Sequence, residues 1–256
     1  MTLKKLILLS IIAITAQGCG SSTTDNPPAL ETPAQVSESV QTVSAGSSTL
    51  SGQIVFEGTP PAPKLSAVRS FTECAVHHAG DVYAEDAVIH DGKVQHTFVY
   101  VKEGLEGKNF GTPAEEVLLD QIGCIYTPHV IGIQTGQTLT IKNSDVSLHN
   151  VHSFPKINTP FNIGMPVQGM KLKKKFDQPE VMIPVKCDVH PWMQSFIGVL
   201  PHPFYAVSDA QGRFEIKNLP EGTYTIEAWH ETFGTQTQSV TVGPTGSQSV
   251  TFTFKQ

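Results

Sequence analysis

The chain has 256 residues, 39% of them hydrophobic, and its 17 Lys and Arg against 23 Asp and Glu give a formal charge of −6. That length and apolar content can build one large or two modest cores, which excludes a single small disulfide scaffold. The acidic balance lacks the basic footprint of a nucleic-acid-binding protein, so no nucleic-acid partner is expected.

The opening "MTLKKLILLSIIAITAQGCG" has a basic tip at Lys4 and Lys5, an apolar run from Leu6 to about Ala16, and small residues before Cys19. Residues 1–19 read as a secretion signal, and the apolar run is too short for a mature membrane span. Ala16, Gln17 and Gly18 before Cys19 resemble a bacterial lipoprotein box, although Ala16 stands where leucine fits better. The resemblance implies lipidation of Cys19 and a membrane-anchored protein of the periplasm or cell envelope; ordinary cleavage nearby gives export without the anchor. Removing Lys4 and Lys5, with no acidic residue lost, changes the charge from −6 to −8. Residues 20–48 are rich in Ser, Thr and Pro, without Lys, Arg or aromatic residues. Such a segment cannot bury enough apolar surface to fold. As a flexible tether it reaches roughly 30 Å.

After Thr49 the chain turns into short alternating or β-branched runs, among them "SGQIVFEG", "HTFVYVKEG", "HVIGIQTGQTLTIKN", "PEVMIPVKC", "SFIGVL" and "SVTFTF", separated by Gly, Pro, Asn and Asp. The spacing predicts an all-β protein of the sandwich kind, with no helix of three turns. The basic run "KLKKKF" at 171–176 reads as an edge strand guarded by lysines, with a docking patch for an acidic redox partner as the alternative.

Near Pro203 the composition shifts. "SDAQGRFEIKNLPEGTYTIEAWHE" resembles the transthyretin-like or carboxypeptidase-regulatory-like β-sandwich module, with a turn at Asp209 and Gly212 and inward-facing Phe214, Ile216, Tyr224, Ile226 and Ala228. The expected division is therefore a larger domain over 49–202 and a smaller β-sandwich over 203–256. Such modules usually begin with a strand like "SGQIVFEG", so residues 51–57 are expected to join the C-terminal sheet.

The chemistry-bearing stretch is "VKCDVHPWMQSF", residues 185–196, which spaces Cys187, His190 and Met193 at three-residue intervals. Cys187 ends a predicted strand and Pro191 prevents the ladder from continuing, so the three donors lie on one compact loop. Thiolate, thioether and imidazole together favour copper, and a His₂Cys set with a weak axial Met is the blue-copper arrangement. The second imidazole is sought where the strand of "IKNSDVSLHNVHSF" enters a polar turn, at His149. "LHNVHSF" followed by "CDVHPWM" resembles the amicyanin and plastocyanin branch of the cupredoxins, over about residues 130–202. The resemblance implies a Greek-key β-sandwich holding one type 1 copper. His149, Cys187 and His190 would be in-plane ligands and Met193 the long axial one. Asn150 would brace the two ligand loops and aim a backbone N–H at the sulfur, and Trp192 would join the apolar shell. Zinc is the competing occupant, but Met is a poor zinc ligand. The neighbours of Cys187 are Lys186 and Asp188, not histidines, and the loop has one cysteine. No wired second copper centre is evident, and one cysteine in the loop implies a mononuclear site.

With Cys19 and Cys187 assigned, Cys74 and Cys124 remain, most simply as a disulfide in an oxidising compartment. A structural zinc site drawing on His77, His78 and His129 is the rival. His152, His202 and His230 read as packing and hydrogen-bonding residues, with a proton or metal site as the other choice. The expected function is single-electron transfer between unidentified redox partners, with the exposed edge of His190 as the electron port. Alternatives are a copper storage or delivery lipoprotein, and a metal-free surface or adhesion scaffold. No arrangement of nucleophile, base and oxyanion donors points to an enzyme.

Overall fold

The computed structural model describes residues 41, 42 and 46–255. Residues 1–19, Cys19 among them, and most of the tether fall outside the described residues. Among the described residues no helix is long and apolar enough to cross a membrane.

The protein is all-β, and its strands form four principal sheets. One four-stranded sheet runs in the order Lys171–Lys174, Leu139–Asn143, Val117–Ile122, Ile125–Thr127. Next comes a five-stranded sheet in the order Asn162–Met165, His149–Ser153, Glu180–Lys186, Gln194–Leu200, Val130–Gln134. A second four-stranded sheet holds Tyr205–Val207, Phe98–Glu103, Gly222–His230 and Gly234–Val242. In the last sheet Ser47–Glu57 pairs antiparallel with Arg213–Leu219 and parallel with Thr245–Lys255, while Lys93–Val94 and Ile89–His90 extend it.

Three buried clusters lie between these sheets. Leu119, Leu139, Ile141, Val151, Ile183, Val185, Ile197 and Val199 fill the first sandwich. Leu50, Ile54, Val99, Val101, Phe214, Ile216, Ile226 and Phe252 fill the second. A third group, with Phe98, Tyr100, Val130, Met182, Phe196 and Leu200, joins the two sandwiches. The alternation of side chains explains how one strand serves two layers. In Phe98–Glu103, Phe98 and Tyr100 enter the junction while Val99 and Val101 enter the second core. Likewise Ile197 and Val199 enter the first core and Phe196 and Leu200 the junction. Burial of either kind contributes about 1.5–3 kcal/mol per large apolar side chain.

A sequence boundary at 202/203 does not separate these cores. Ser47–Glu57, Lys93–Val94 and Phe98–Glu103 all belong to the second sandwich, so its sheets are assembled from both sides of the first. Lys171–Lys174 is an edge strand paired with Leu139–Asn143, and Phe176 just beyond it is buried.

The junction is closed by two glycines. Gly132 and Gly198 are cross-strand partners on neighbouring parallel strands. A Cβ on Gly132 would lie 2.0 Å from the Tyr205 ring, and one on Gly198 would lie 2.5 Å from Phe98 and 2.6 Å from Met182. Backbone without side chains is what lets these rings lie flat on the sheet. Phe98 and Tyr205 stack there at 5.6 Å. Gly198→Leu is therefore expected to lower stability by about 1–3 kcal/mol through overpacking. The check is a urea midpoint compared with wild type; an unchanged midpoint would show that the junction yields freely.

Candidate metal centre

The centre sits at one end of the first sandwich, where His149–Ser153 begins and Glu180–Lys186 ends. His149 and Cys187 flank those strands, and His190 and Met193 lie on the loop into Gln194–Leu200. His149 is 0% exposed, Cys187 2%, His190 1% and Met193 1%. The Nδ1 atoms of His149 and His190 are 2.9 Å apart, and the Cys187 sulfur lies 3.9 Å from His190 Nδ1. One donor atom from each of His149, Cys187 and His190 falls within 4.8 Å of the others. The loop is closed on itself by Cys187 N–H to Met193 O at 3.2 Å and Met193 N–H to His190 O at 2.9 Å.

Which nitrogen each imidazole presents is set by its other nitrogen. His149 Nε2–H donates to Asp145 Oδ2 at 2.9 Å, leaving Nδ1 turned toward Cys187 and His190. Asp145 is buried and accepts two further bonds, from the backbone N–H groups of Gly123 at 2.7 Å and Cys124 at 2.8 Å. Gly123 and Cys124 both take left-handed φ values, 64° and 54°, in the tight turn between Val117–Ile122 and Ile125–Thr127. One carboxylate therefore fixes a ligand and a hairpin turn together. Burial pushes the Asp145 pKa up, but these three donors outweigh it and hold the carboxyl below its ordinary value.

Asn150 ties the two ligand loops. Its Oδ1 accepts the Asp188 N–H at 2.6 Å, and its own backbone N–H points at the Cys187 sulfur at 3.5 Å. Trp192 donates its indole N–H to Cys124 O at 2.9 Å and packs against His190 at 5.1 Å between centroids. Cys74 and Cys124 form a disulfide with Cα atoms 5.6 Å apart, and Cys187 is the free thiol among the described residues.

Electrostatics act on the sulfur in opposite directions. Burial pushes the Cys187 thiol up, but hydrogen bonding with His149 and backbone N–H groups brings it below its ordinary value. Burial likewise lowers His149, yet Asp145 and Cys187 raise it overall to about 8. His190 is lowered, by burial first and by the charge of His149 second. Metal binding by a thiol and two imidazoles releases the protons their donor atoms carry, and the lowered Cys187 thiol eases that release.

The electron port expected at His190 is not there. Its ring lies under a cap of residues 65–84, absent from the strand pattern, which contains the 3₁₀ turn Ala67–Ser70 and the single helical turn Thr72–Ala75. Phe71 packs edge-on against the imidazole at 5.7 Å, and Cys74 Sγ lies 3.6 Å from Nε2. The cover comes from this upstream segment, not from the C-terminal sandwich.

The other histidines stand apart from the donor set. His152 Nδ1 lies 3.1 Å from the Asp188 carboxylate, and the ring packs on Phe154. His78 Nε2–H donates to Gly123 O at 2.7 Å, and His77 is 3.9 Å from Asp145. His129 hydrogen-bonds Glu231 and lies 3.7 Å from Glu85. His202 Nε2–H donates to Val101 O at 2.9 Å while Nδ1 accepts from Phe204 N–H at 3.3 Å, so the neutral ring is satisfied on both sides. His230 is buried and accepts from Thr232 N–H at 3.2 Å. Sequence reading missed Asp145: an acidic residue in the polar turn "NSDVSLH" looks like any solvated turn residue.

Residues 200–255 match the family model of the carboxypeptidase regulatory-like domain. No curated protein matches the chain. Among solved structures, an oxidised amicyanin variant is 20% identical over 33% of this chain and 81% of its own, with a TM-score of 0.30. The "Novel Purple Cupredoxin from Nitrosopumilus maritimus" is 22% identical over 34% of this chain and 99% of its own, with a TM-score of 0.28. A copper-containing nitrite reductase from Thermus scotoductus is 16% identical over 57% of this chain, with a TM-score of 0.30, and the match spans only 28% of the reductase. Likeness at this level decides no chemistry, which has to come from the donor atoms.

Two predictions follow from the geometry. Asp145→Asn puts an amide N–H₂ among three N–H donors and should cost about 1–3 kcal/mol, read as a lower urea midpoint of the metal-free protein; an unaltered midpoint would remove Asp145 from its central place. His202 and His230 are both held down to about 4, by burial foremost. A depressed folded value means the unfolded chain binds more protons between about pH 6.5 and 4, so their stabilisation is complete above that window and fades as pH falls through it. Denaturation midpoints at several pH values should show the decline, and His202→Gln should flatten it.

Proposed function

We propose that the chain is an exported, lipid-anchored, mononuclear type 1 copper protein that carries single electrons. The observation that carries the proposal is the buried convergence of His149 Nδ1, His190 Nδ1 and Cys187 Sγ with Met193 on the same loop. Two imidazoles, a thiolate and a thioether form the donor set of a blue-copper centre, and thioether is a poor partner for zinc. When bound, copper supplies a one-electron Cu(II)/Cu(I) couple.

The chain's own part is to hold the donors still and dry. Asp145 fixes the ring of His149, Asn150 braces the two loops, and an N–H directed at sulfur tunes the thiolate. All four donor residues are buried, which leaves no open position for a substrate and argues against bond-making at the metal. With His190 covered, the approach of a partner shifts to the chain beside Cys187. Asp188 is half exposed, and Val189, Leu148 and Val146 are exposed apolar side chains on the same ligand loops. A redox partner with a complementary apolar face would dock there.

Copper storage or delivery is the second reading, favoured by the cap itself: a lid over a ligand suits retention better than exchange of electrons through that ligand. A metal-free scaffold explains least, since a buried thiol and two buried imidazoles cost desolvation that an absent metal would not offset.

Residues 20–256, loaded with Cu(II), should show an intense visible charge-transfer band and narrow copper hyperfine splitting in paramagnetic resonance, both lost in Cys187→Ser. A colourless protein that binds Cu(I) stoichiometrically would establish storage or delivery instead, and one that binds no copper would reject both.

A further inference from the structure

His190 faces sulfur on both sides. Its Nδ1 looks toward Cys187, and its Nε2 abuts Cys74 Sγ at 3.6 Å. His149 directs its outer nitrogen to a carboxylate, whereas among the described residues His190 Nε2 meets no oxygen partner. Cys74, Cys124 and His190 each place a donor atom within 4.8 Å of the others, and all three residues are buried. A disulfide is a feeble ligand, but the same two sulfurs as thiolates are soft donors that, with one imidazole, suit Cu(I).

We propose that Cys74, Cys124 and His190 Nε2 form a second, Cu(I)-specific site that exists only in the dithiol state of the cap. It rests on the copper reading of the inner centre for its biological use, though not for its chemistry. The switch is a thiol–disulfide exchange with an external dithiol. One S–S bond breaks in the protein and one forms in the reductant, with two hydrogens passing to Cys74 and Cys124. Each thiol that then binds Cu(I) releases its proton to solvent. The cap can open locally to admit the reductant, because its noncovalent anchors to the sandwich are few: Val68 in the core with Val82 packed against it, Phe71 against His190 and Trp192, His77 beside Asp145, and the bond from His78 to Gly123 O. The two sites share one imidazole through opposite nitrogens, Nδ1 toward Cys187 and Nε2 toward Cys74, so the ring stands between them. Copper delivered as Cu(I) would enter at the outer sulfurs and pass to Cys187 as the ring changes nitrogen, after which an external disulfide reseals the cap.

The test uses residues 20–256 carrying Cys187→Ser, which removes the inner thiolate and leaves the cap intact. Cu(I) is titrated against a chromophoric chelator before and after reduction with a phosphine. The expected result is one tightly held equivalent that appears only on reduction and slows alkylation of both Cys74 and Cys124 about tenfold or more. No reduction-dependent equivalent, or alkylation rates unchanged by Cu(I), would overturn the proposal, and neither requires a variant lacking the cap cysteines. Adding Cys74→Ser and Cys124→Ser should abolish the equivalent where that variant folds; an equivalent that persists places the copper elsewhere. The inner centre is judged separately by the Cu(II) spectrum of the protein with Cys187 present, so either site can fail alone.

Discussion

The carboxylate of Asp145 is the contact on which the metal end of the molecule depends. It is buried and accepts N–H bonds from Gly123, Cys124 and the ring of His149. An ionised carboxylate in that position would be costly without donors, and here three of them converge from two separate loops. The consequence is geometric. The His149 bond selects the inward nitrogen, and the two backbone bonds lock the turn whose carbonyl receives Trp192 and whose cysteine holds the cap. Ligand orientation, disulfide position and cover over His190 are thereby linked through one side chain.

A second constraint sets how that end is supported. Four sheets are stacked with three apolar layers between them, and the middle layer is thin because Gly132 and Gly198 lie side by side under aromatic rings. Met182, Phe196 and Leu200 come from the same strands that frame the ligand loop, Glu180–Lys186 and Gln194–Leu200. The second sandwich therefore buttresses the sheet from which Cys187 and Met193 emerge. This gives the carboxypeptidase regulatory-like segment a mechanical role in the architecture, independent of any ligand of its own.

The clustering of the candidate donors was legible because their spacing is local: Cys187, His190 and Met193 must share a loop once Pro191 interrupts the ladder, and His149 follows a strand. The edge strand of lysines and the β-rich character are legible for the same reason, since alternation and turn residues are properties of short windows. What was not legible is non-local. That residues 51–57 join the C-terminal sheet was expected only from the resemblance to the regulatory-like module, and Ser47–Glu57 does pair with Arg213–Leu219 and Thr245–Lys255, whereas nothing pointed to the pairing of Phe98–Glu103 with Gly222–His230. No periodicity specifies such partners, so the boundary at residue 202 cut across the second sandwich. Asp145 and the cap escaped notice because their roles arise only when distant turns meet. The exposed His190 edge was a property carried over from a resemblance to smaller proteins, and the segment 65–84 lies outside the region over which that resemblance held.

That cap changes what the centre can do. Outer-sphere electron transfer falls off with the thickness of the barrier between the couple and its partner, so a cover over one ligand moves the useful surface to another side. Here the alternative side is the chain immediately following Cys187, where Asp188 is held by Asn150, Asn162 and His152 while Val189 is exposed. Under the copper reading proposed above, an exit beginning at Cys187 does not depend on His190. Under that reading a covered His190 is compatible with electron carriage, provided the partner reads the exposed Asp188–Val189 face beside the buried Cys187 and leaves the disulfide face alone.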